Sequence, residues 1–140
     1  MARALVDTGA VVALVNRDDR YHRAAVDWFQ RFRGEMLTTE AVITETAYVL
    51  AASAPHQHAA LVWFQRARAA KLLRIEPVAD HGELARIIAR YADLPCDYAD
   101  ASLIALAERT GVTAIATVDQ RDFSVYRLRG RKRFRLLLGG

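Results

Sequence analysis

Cysteine is almost missing from this chain of 140 residues. Cys96 alone excludes an internal disulfide framework and a zinc site built on paired cysteines. One free thiol suits a reducing compartment, so a cytoplasmic location is expected. Glycine (7) and proline (3) are also scarce, whereas alanine occurs 26 times, a balance that favours helices. No apolar run approaches the roughly 18–20 residues that span a bilayer, so no membrane association is expected. The apolar start, Ala4 to Val15, is broken by Asp7 and preceded only by Arg3, so it reads as a buried strand and helix rather than a leader. Lysine occurs twice against 18 arginines, within a net charge of +4. A genome rich in alanine and arginine codons gives that bias, and so does recognition of phosphate by planar guanidinium groups. With 53% hydrophobic and 26% charged residues, the chain has what one folded domain needs and excludes a disordered tail.

Short apolar runs alternate with helical periodicity, the mark of an α/β fold. Ala4-Leu5-Val6-Asp7 predicts a first strand, apolar on both faces as in the middle of a parallel sheet. Thr8-Gly9 turns into a short helix ending near Asn16. Asp18 or Asp19 can cap the next helix, whose stripe is Ala25, Trp28, Phe29 and Phe32, and Gly34 stops it. Met36 to Thr38 predicts a second strand, and Thr39 caps a helix from Glu40 to about Ser53. Pro55 opens another, with Ala59, Val62, Trp63, Ala67 and Ala70 along one side. Leu72 to Glu76 predicts a third strand, and His81 to Ala92 an amphipathic helix. Asp97 introduces a helix to about Thr110, almost wholly apolar in its middle, and Gly111 ends it. Ala114 to Val118 predicts a fourth strand, and the chain from Val125 onward reads as extended, with Gly130 as a turn or bulge.

Four carboxylates stand where apolar residues are expected. Asp7 ends one apolar strand and Asp119 follows another. Glu45 has Ala41, Val42, Tyr48 and Val49 three and four positions away, and Asp100 has Leu103 and Ile104. Ligands of parallel sheets gather at the carboxyl ends of the strands. Converging carboxylates repel by on the order of 4 kcal/mol per pair at about 4 Å and an effective dielectric near 20. They either take up protons or collect cations. With no lysine nearby in sequence, a hard divalent ion such as Mg²⁺ or Mn²⁺ is the economical counter-charge. Each acid also has a plain structural role open to it: a helix cap for Asp7 and Asp100, an arginine partner for Glu45, a turn for Asp119. Asp97 reads as a helix cap rather than a ligand. Asp122 can face the ions or cap a turn.

Taken together, these positions resemble the PIN-domain family and, within it, the VapC toxins of toxin–antitoxin pairs. The matching segments are Leu5-Val6-Asp7-Thr8-Gly9-Ala10, Thr38 to Glu45, Tyr91 to Leu103, and Ala116-Thr117-Val118-Asp119-Gln120-Arg121-Asp122-Phe123. They span nearly the whole chain, so the resemblance implies a single PIN-like domain over residues 1–140. It implies a central, mostly parallel sheet of four to five strands flanked by helices. It makes Asp7, Glu45, Asp100 and Asp119 the acidic quartet that binds the metal and carries catalysis, with Asp122 an accessory acid and Thr117 a supporting hydroxyl. It further implies a Mg²⁺- or Mn²⁺-dependent endoribonuclease that cuts RNA phosphodiesters by metal-activated water, forms a homodimer and is silenced by a VapB-type antitoxin. Trp28, Phe29, Phe32, Trp63 and Phe64 give more large apolar surface than one small core needs, so either some of them form a face for the second copy of a dimer or all five belong to the core.

Arg127, Arg129, Arg131, Arg133 and Arg135 recur every second residue and would share one face of an unbroken strand. Such a ladder suits an RNA backbone or an acidic antitoxin segment, and equally a charged edge strand. The alternative to an enzyme is a non-catalytic RNA- or protein-binding module that uses this ladder. Asp7-Thr8-Gly9-Ala10 also spells the aspartic-protease motif, but that fold is all-β and rich in glycine. A phospho-receiver domain needs a lysine in its acidic site, and Lys71 and Lys132 are poorly placed for one.

Overall fold

The computed structural model describes residues 2–138. Five strands form one sheet: β1 (Ala2–Val6), β2 (Gly34–Thr39), β3 (Leu73–Glu76), β4 (Ala114–Ala116) and β5 (Arg135–Leu136). All neighbours pair in parallel, in the order β3-β2-β1-β4-β5. Seven α-helices accompany them among the described residues: α1 (Thr8–Val15), α2 (His22–Arg31), α3 (Glu40–Val49), α4 (Ala54–Ala69), α5 (His81–Arg90), α6 (Tyr98–Thr110) and α7 (Gln120–Val125). The expected α/β class and parallel sheet are both present.

Successive residues of a strand point to opposite faces, and here each face has its own core. Leu5, Leu37 and Ile115 pack with Leu84 and Ile87 of α5 and with most of α6. Ala4, Val6, Met36, Ala114 and Ala116 pack instead with α1, Trp28 of α2 and Phe64 of α4. A strand stretch covered on both sides has no place for a charged residue, which is why the buried part of β1, Ala4 to Val6, is wholly apolar while Arg3 stands at its exposed start. Helix α6 buries eight of the nine residues from Ala99 to Ala107, all but Asp100. Each large side chain so covered is worth about 1.5–3 kcal/mol, which fixes this helix firmly against the sheet.

Strands β1, β2 and β3 step to one side, and β4 and β5 lie on the other. The order therefore reverses between β1 and β4, and the crevice beyond their carboxyl ends is where open parallel sheets bind ligands. Gly9 sits at that crevice. A Cβ there would collide with Cγ2 of Val118. A glycine-to-alanine change in a helix otherwise gains up to about 1 kcal/mol. Gly9→Ala is expected to cost about 1–3 kcal/mol instead, the usual penalty for overpacking. Thermal melts should show this loss, and Val118→Ala added to Gly9→Ala should recover most of it.

Several expectations change. Neither Asp18 nor Asp19 caps α2; the Asp19 carboxylate accepts from the Tyr21 N–H in the turn before it. Helix α2 ends at Arg31, before Gly34, which opens β2. Helix α3 ends at Val49, and Ser53 caps α4. The buried face of α4 is Ala60, Phe64 and Ala67, rotated from the predicted stripe, and Ala70 is exposed. Of the five large aromatics, Trp28 and Phe64 are buried and Phe29, Phe32 and Trp63 are half-buried. Phe29 and Trp63 line an apolar groove of about 530 Å³.

The C-terminal segment departs furthest from expectation. Residues Gln120–Val125 form α7, where the sequence suggested a turn. The chain then doubles back through a turn in which Gly130 takes φ 75°, and Arg127 faces Arg133 in an antiparallel bridge. The five arginines therefore do not share one strand face. A left-handed glycine reverses the chain in the middle of the ladder.

Candidate active site

The crevice between β1 and β4 collects acids from both strand ends and from two helix starts. Asp7 follows β1 directly and caps α1, its Oδ1 accepting from the Thr8 N–H at 2.8 Å. Its Oδ2 accepts from the Thr117 hydroxyl, also at 2.8 Å. Thr117, fully buried just past β4, accepts in turn from the Asp119 N–H at 3.0 Å. One hydroxyl thus ties the acid after β1 to the acid after β4. Asp119 caps α7, accepting from the Asp122 N–H at 3.0 Å. Asp97 caps α6 as expected, accepting from the Asp100 N–H at 2.8 Å.

Oxygens of Asp100, Asp119 and Asp122 all lie within 4.8 Å of one another. Asp7 is close enough for its charge to act on Asp100. Burial pushes the Asp7 carboxyl up to about 6, against its bonds to Thr117 and Thr8 and with the charges of Asp119 and Asp97 adding to the rise. Burial lifts Asp100 further, to about 8, helped by the charges of Asp7 and Asp97. Asp122 is raised as well, by burial and by the neighbouring Asp119 charge. Burial is the main cause of each rise and the neighbouring acid charges add to it, while at Asp122 the Arg121 charge acts against it.

Glu45 does not belong to this close group. The inward face of α3 is Val42, Thr46 and Leu50, while Tyr48 and Val49 are exposed, so the apolar stripe assigned to Glu45 is not there. Glu45 is half-buried and lines a groove of about 310 Å³ with Asp97 and Tyr98. Asp97 adds its charge to both Asp7 and Asp100 while serving as a cap. Of the C-terminal arginines, Arg129, Arg131, Arg133 and Arg135 are exposed. Arg127 turns its guanidinium back onto the carbonyls of Ser124, Val125 and Tyr126.

Sequence reasoning missed Tyr126. It is fully buried, and its hydroxyl lies 3.0 Å from Asp100 Oδ2 and 3.0 Å from the Pro95 carbonyl. No local pattern marks it, because its partner is 26 residues away. Cys96 stands beside it, its thiol pushed up to about 11 by burial and so neutral at ordinary pH. A donor set of carboxylate oxygens with a protonated thiol fits a hard divalent cation and not zinc.

The chain is 27% identical over 133 residues to ribonuclease VapC26 of Mycobacterium tuberculosis, covering 95% of this chain and 98% of that one. Among solved structures it resembles the crystal structure of VapC20 of the same organism, a toxin that cleaves the sarcin–ricin loop. That similarity has a TM-score of 0.73 and 22% identity, over 84% of this chain and 91% of the other. The PIN domain family model matches residues 4–128. That match covers most of the chain, and the chain belongs to the PIN domain family.

Proposed function

We propose that this protein is a divalent-metal-dependent endoribonuclease and the toxin of a VapBC-type toxin–antitoxin pair. The observation that carries the reading is the meeting of Asp100, Asp119 and Asp122 within 4.8 Å beside Asp7, at the switch point of a PIN fold. Its likeness to the ribonuclease VapC26 supports RNA as substrate and a VapB-type antitoxin as partner. Asp7, Asp100 and Asp119 would hold Mg²⁺ or Mn²⁺, with Asp122 accessory, Thr117 supporting and Glu45 contributing from the neighbouring groove. When bound, such an ion supplies a Lewis acid for the phosphoryl oxygens and lowers the pKa of an attacking water. The chain's own groups then have defined tasks. Thr117 fixes the Asp7 carboxylate, the capping bonds of Asp97 and Asp119 fix the helix starts, and no side chain acts as a covalent nucleophile.

Arg129, Arg131, Arg133 and Arg135, with Lys132, present positive charge on the exposed C-terminal turn, where a phosphate backbone or an acidic antitoxin segment would bind. The half-buried Phe29 and Trp63 give apolar surface of the kind a protein partner covers, either the antitoxin or a second copy in a homodimer. No helix among the described residues is long and apolar enough to cross a membrane, and we place the protein in the cytoplasm.

The test uses purified protein with single-stranded and structured RNAs in Mg²⁺, Mn²⁺ or EDTA. Internal cleavage with either ion, abolished by EDTA, is the expected result. Cleavage undiminished by EDTA would overturn the metal reading. Retention of RNA with no cleavage under any condition would turn the protein into a binding module that works through its C-terminal arginines.

A further inference from the structure

We infer that Tyr126 is a positioning residue for the metal site: its hydroxyl orients the Asp100 carboxylate toward Asp119 and Asp122. This rests on the reading of Asp100 as a metal ligand. The ring is fully buried and packed edge-on against Tyr91, at 4.9 Å between centroids, and against Phe123, at 5.1 Å. Its place is therefore set by packing. The hydroxyl then lies 3.0 Å from Asp100 Oδ2, while Oδ1 takes no hydrogen bond from the described residues. The same hydroxyl lies 3.0 Å from the Pro95 carbonyl, and one proton serves two acceptors. A carboxylate is the stronger of the two, so Asp100, once a bound cation holds it ionised, draws that proton.

Tyr126 also ends the helix that carries the other acids. Asp119 caps the start of α7, and the Tyr126 N–H closes it on the Asp122 carbonyl at 3.1 Å. One residue thus joins the helix bearing Asp122 to the carboxylate of α6. The chain beyond is clamped independently. The Tyr91 hydroxyl accepts from the Arg127 N–H at 2.8 Å and donates to the Arg127 carbonyl at 3.0 Å. Glu108, whose side chain is almost wholly buried, accepts from the Arg129 N–H at 3.0 Å. These bonds hold the backbone around Tyr126 without touching Asp100. Partners that orient metal ligands from behind commonly change metal affinity by 10- to 100-fold when removed.

That separation gives the experiment. Mn²⁺ binding to the unaltered protein, Tyr126→Phe and Tyr91→Phe is measured by the electron paramagnetic resonance of the free ion, alongside thermal melts in EDTA. Tyr126→Phe is expected to weaken Mn²⁺ binding roughly 10- to 100-fold, while Tyr91→Phe lowers the melting temperature and leaves the affinity unchanged. 4-Fluorophenylalanine at position 126 fills the hydroxyl's volume without donating, and takes the place of the Phe form should that fail to fold. Unchanged affinity in the Tyr126 variant, or equal weakening in both tyrosine variants, would overturn the positioning role and leave the metal reading standing. Failure of the unaltered protein to bind Mn²⁺ would overturn both.

Discussion

Asp100→Asn is expected to reduce RNA cleavage by about 10³-fold, equivalent to about 4 kcal/mol of transition-state stabilisation, and to raise the melting temperature of the metal-free protein. The two effects have one cause. Burial, joined by the charges of Asp7, Asp97 and Asp119, pushes the Asp100 carboxyl up to about 8. Asparagine keeps an oxygen to accept from Tyr126 and removes the charge. Without a metal, removing it should stabilise the fold by about 2 kcal/mol, several degrees in a domain of this size. With a metal, the same exchange removes a ligand that must be ionised to bind. A purely structural acid would behave otherwise, because its loss lowers stability and spares chemistry. Melts in EDTA and cleavage rates in Mn²⁺, taken on the same preparation, separate the cases. A lower melting temperature with cleavage retained would make Asp100 part of the α6 cap and nothing more.

The sequence disclosed the helices and strands up to β4 because each carries its own local signal. Leu5-Val6 and Ala114-Ile115-Ala116 are apolar runs that only a two-sided core explains. Thr39 and Asp97 are short polar residues placed just ahead of helical stripes, and both accept the expected cap bonds. The acids after β1 and β4 were legible by the same logic, as charges standing next to buried strands. The remainder depended on contacts between distant residues. Helix α7 is short and mostly polar, so periodicity could not show it, although Asp119 three residues before Asp122 is a capping pattern. The alternating arginines imitate a strand, yet the φ of 75° at Gly130 reverses the chain among them. The apolar Tyr48 and Val49 make Glu45 read as part of a buried stripe, but apolar residues at a helix end can be left exposed, as these are.

Metal-free protein is expected to lose stability as pH rises from 6 to 8, the reverse of ordinary acid denaturation. Unfolded aspartates titrate near 3.8, whereas the folded protein holds Asp7 up to about 6 and Asp100 up to about 8. Between those limits the folded chain binds more protons than the unfolded one, so stability is greatest on the acid side, falls as the pH rises toward each folded value and levels off beyond it. Asp7 has given up its proton by the upper half of this window, and Asp100 continues to lose stability at roughly 1.4 kcal/mol per pH unit until about 8. Over two units that is about 3 kcal/mol, enough to lower the melting temperature by roughly 10 °C. The groups facing this pair are Asp97, Asp119 and Asp122, the Tyr126 hydroxyl and the Cys96 thiol, whose pKa of about 11 keeps it neutral throughout. Mn²⁺ should reverse the trend. It competes with protons for the same oxygens, so its affinity rises across the window and its stabilising effect is largest at pH 8. Melting curves in EDTA and in excess Mn²⁺ should therefore diverge with rising pH. Parallel curves, or a metal-free curve that climbs from pH 6 to 8, would show that Asp7 and Asp100 are solvated like ordinary surface acids and do not form one site.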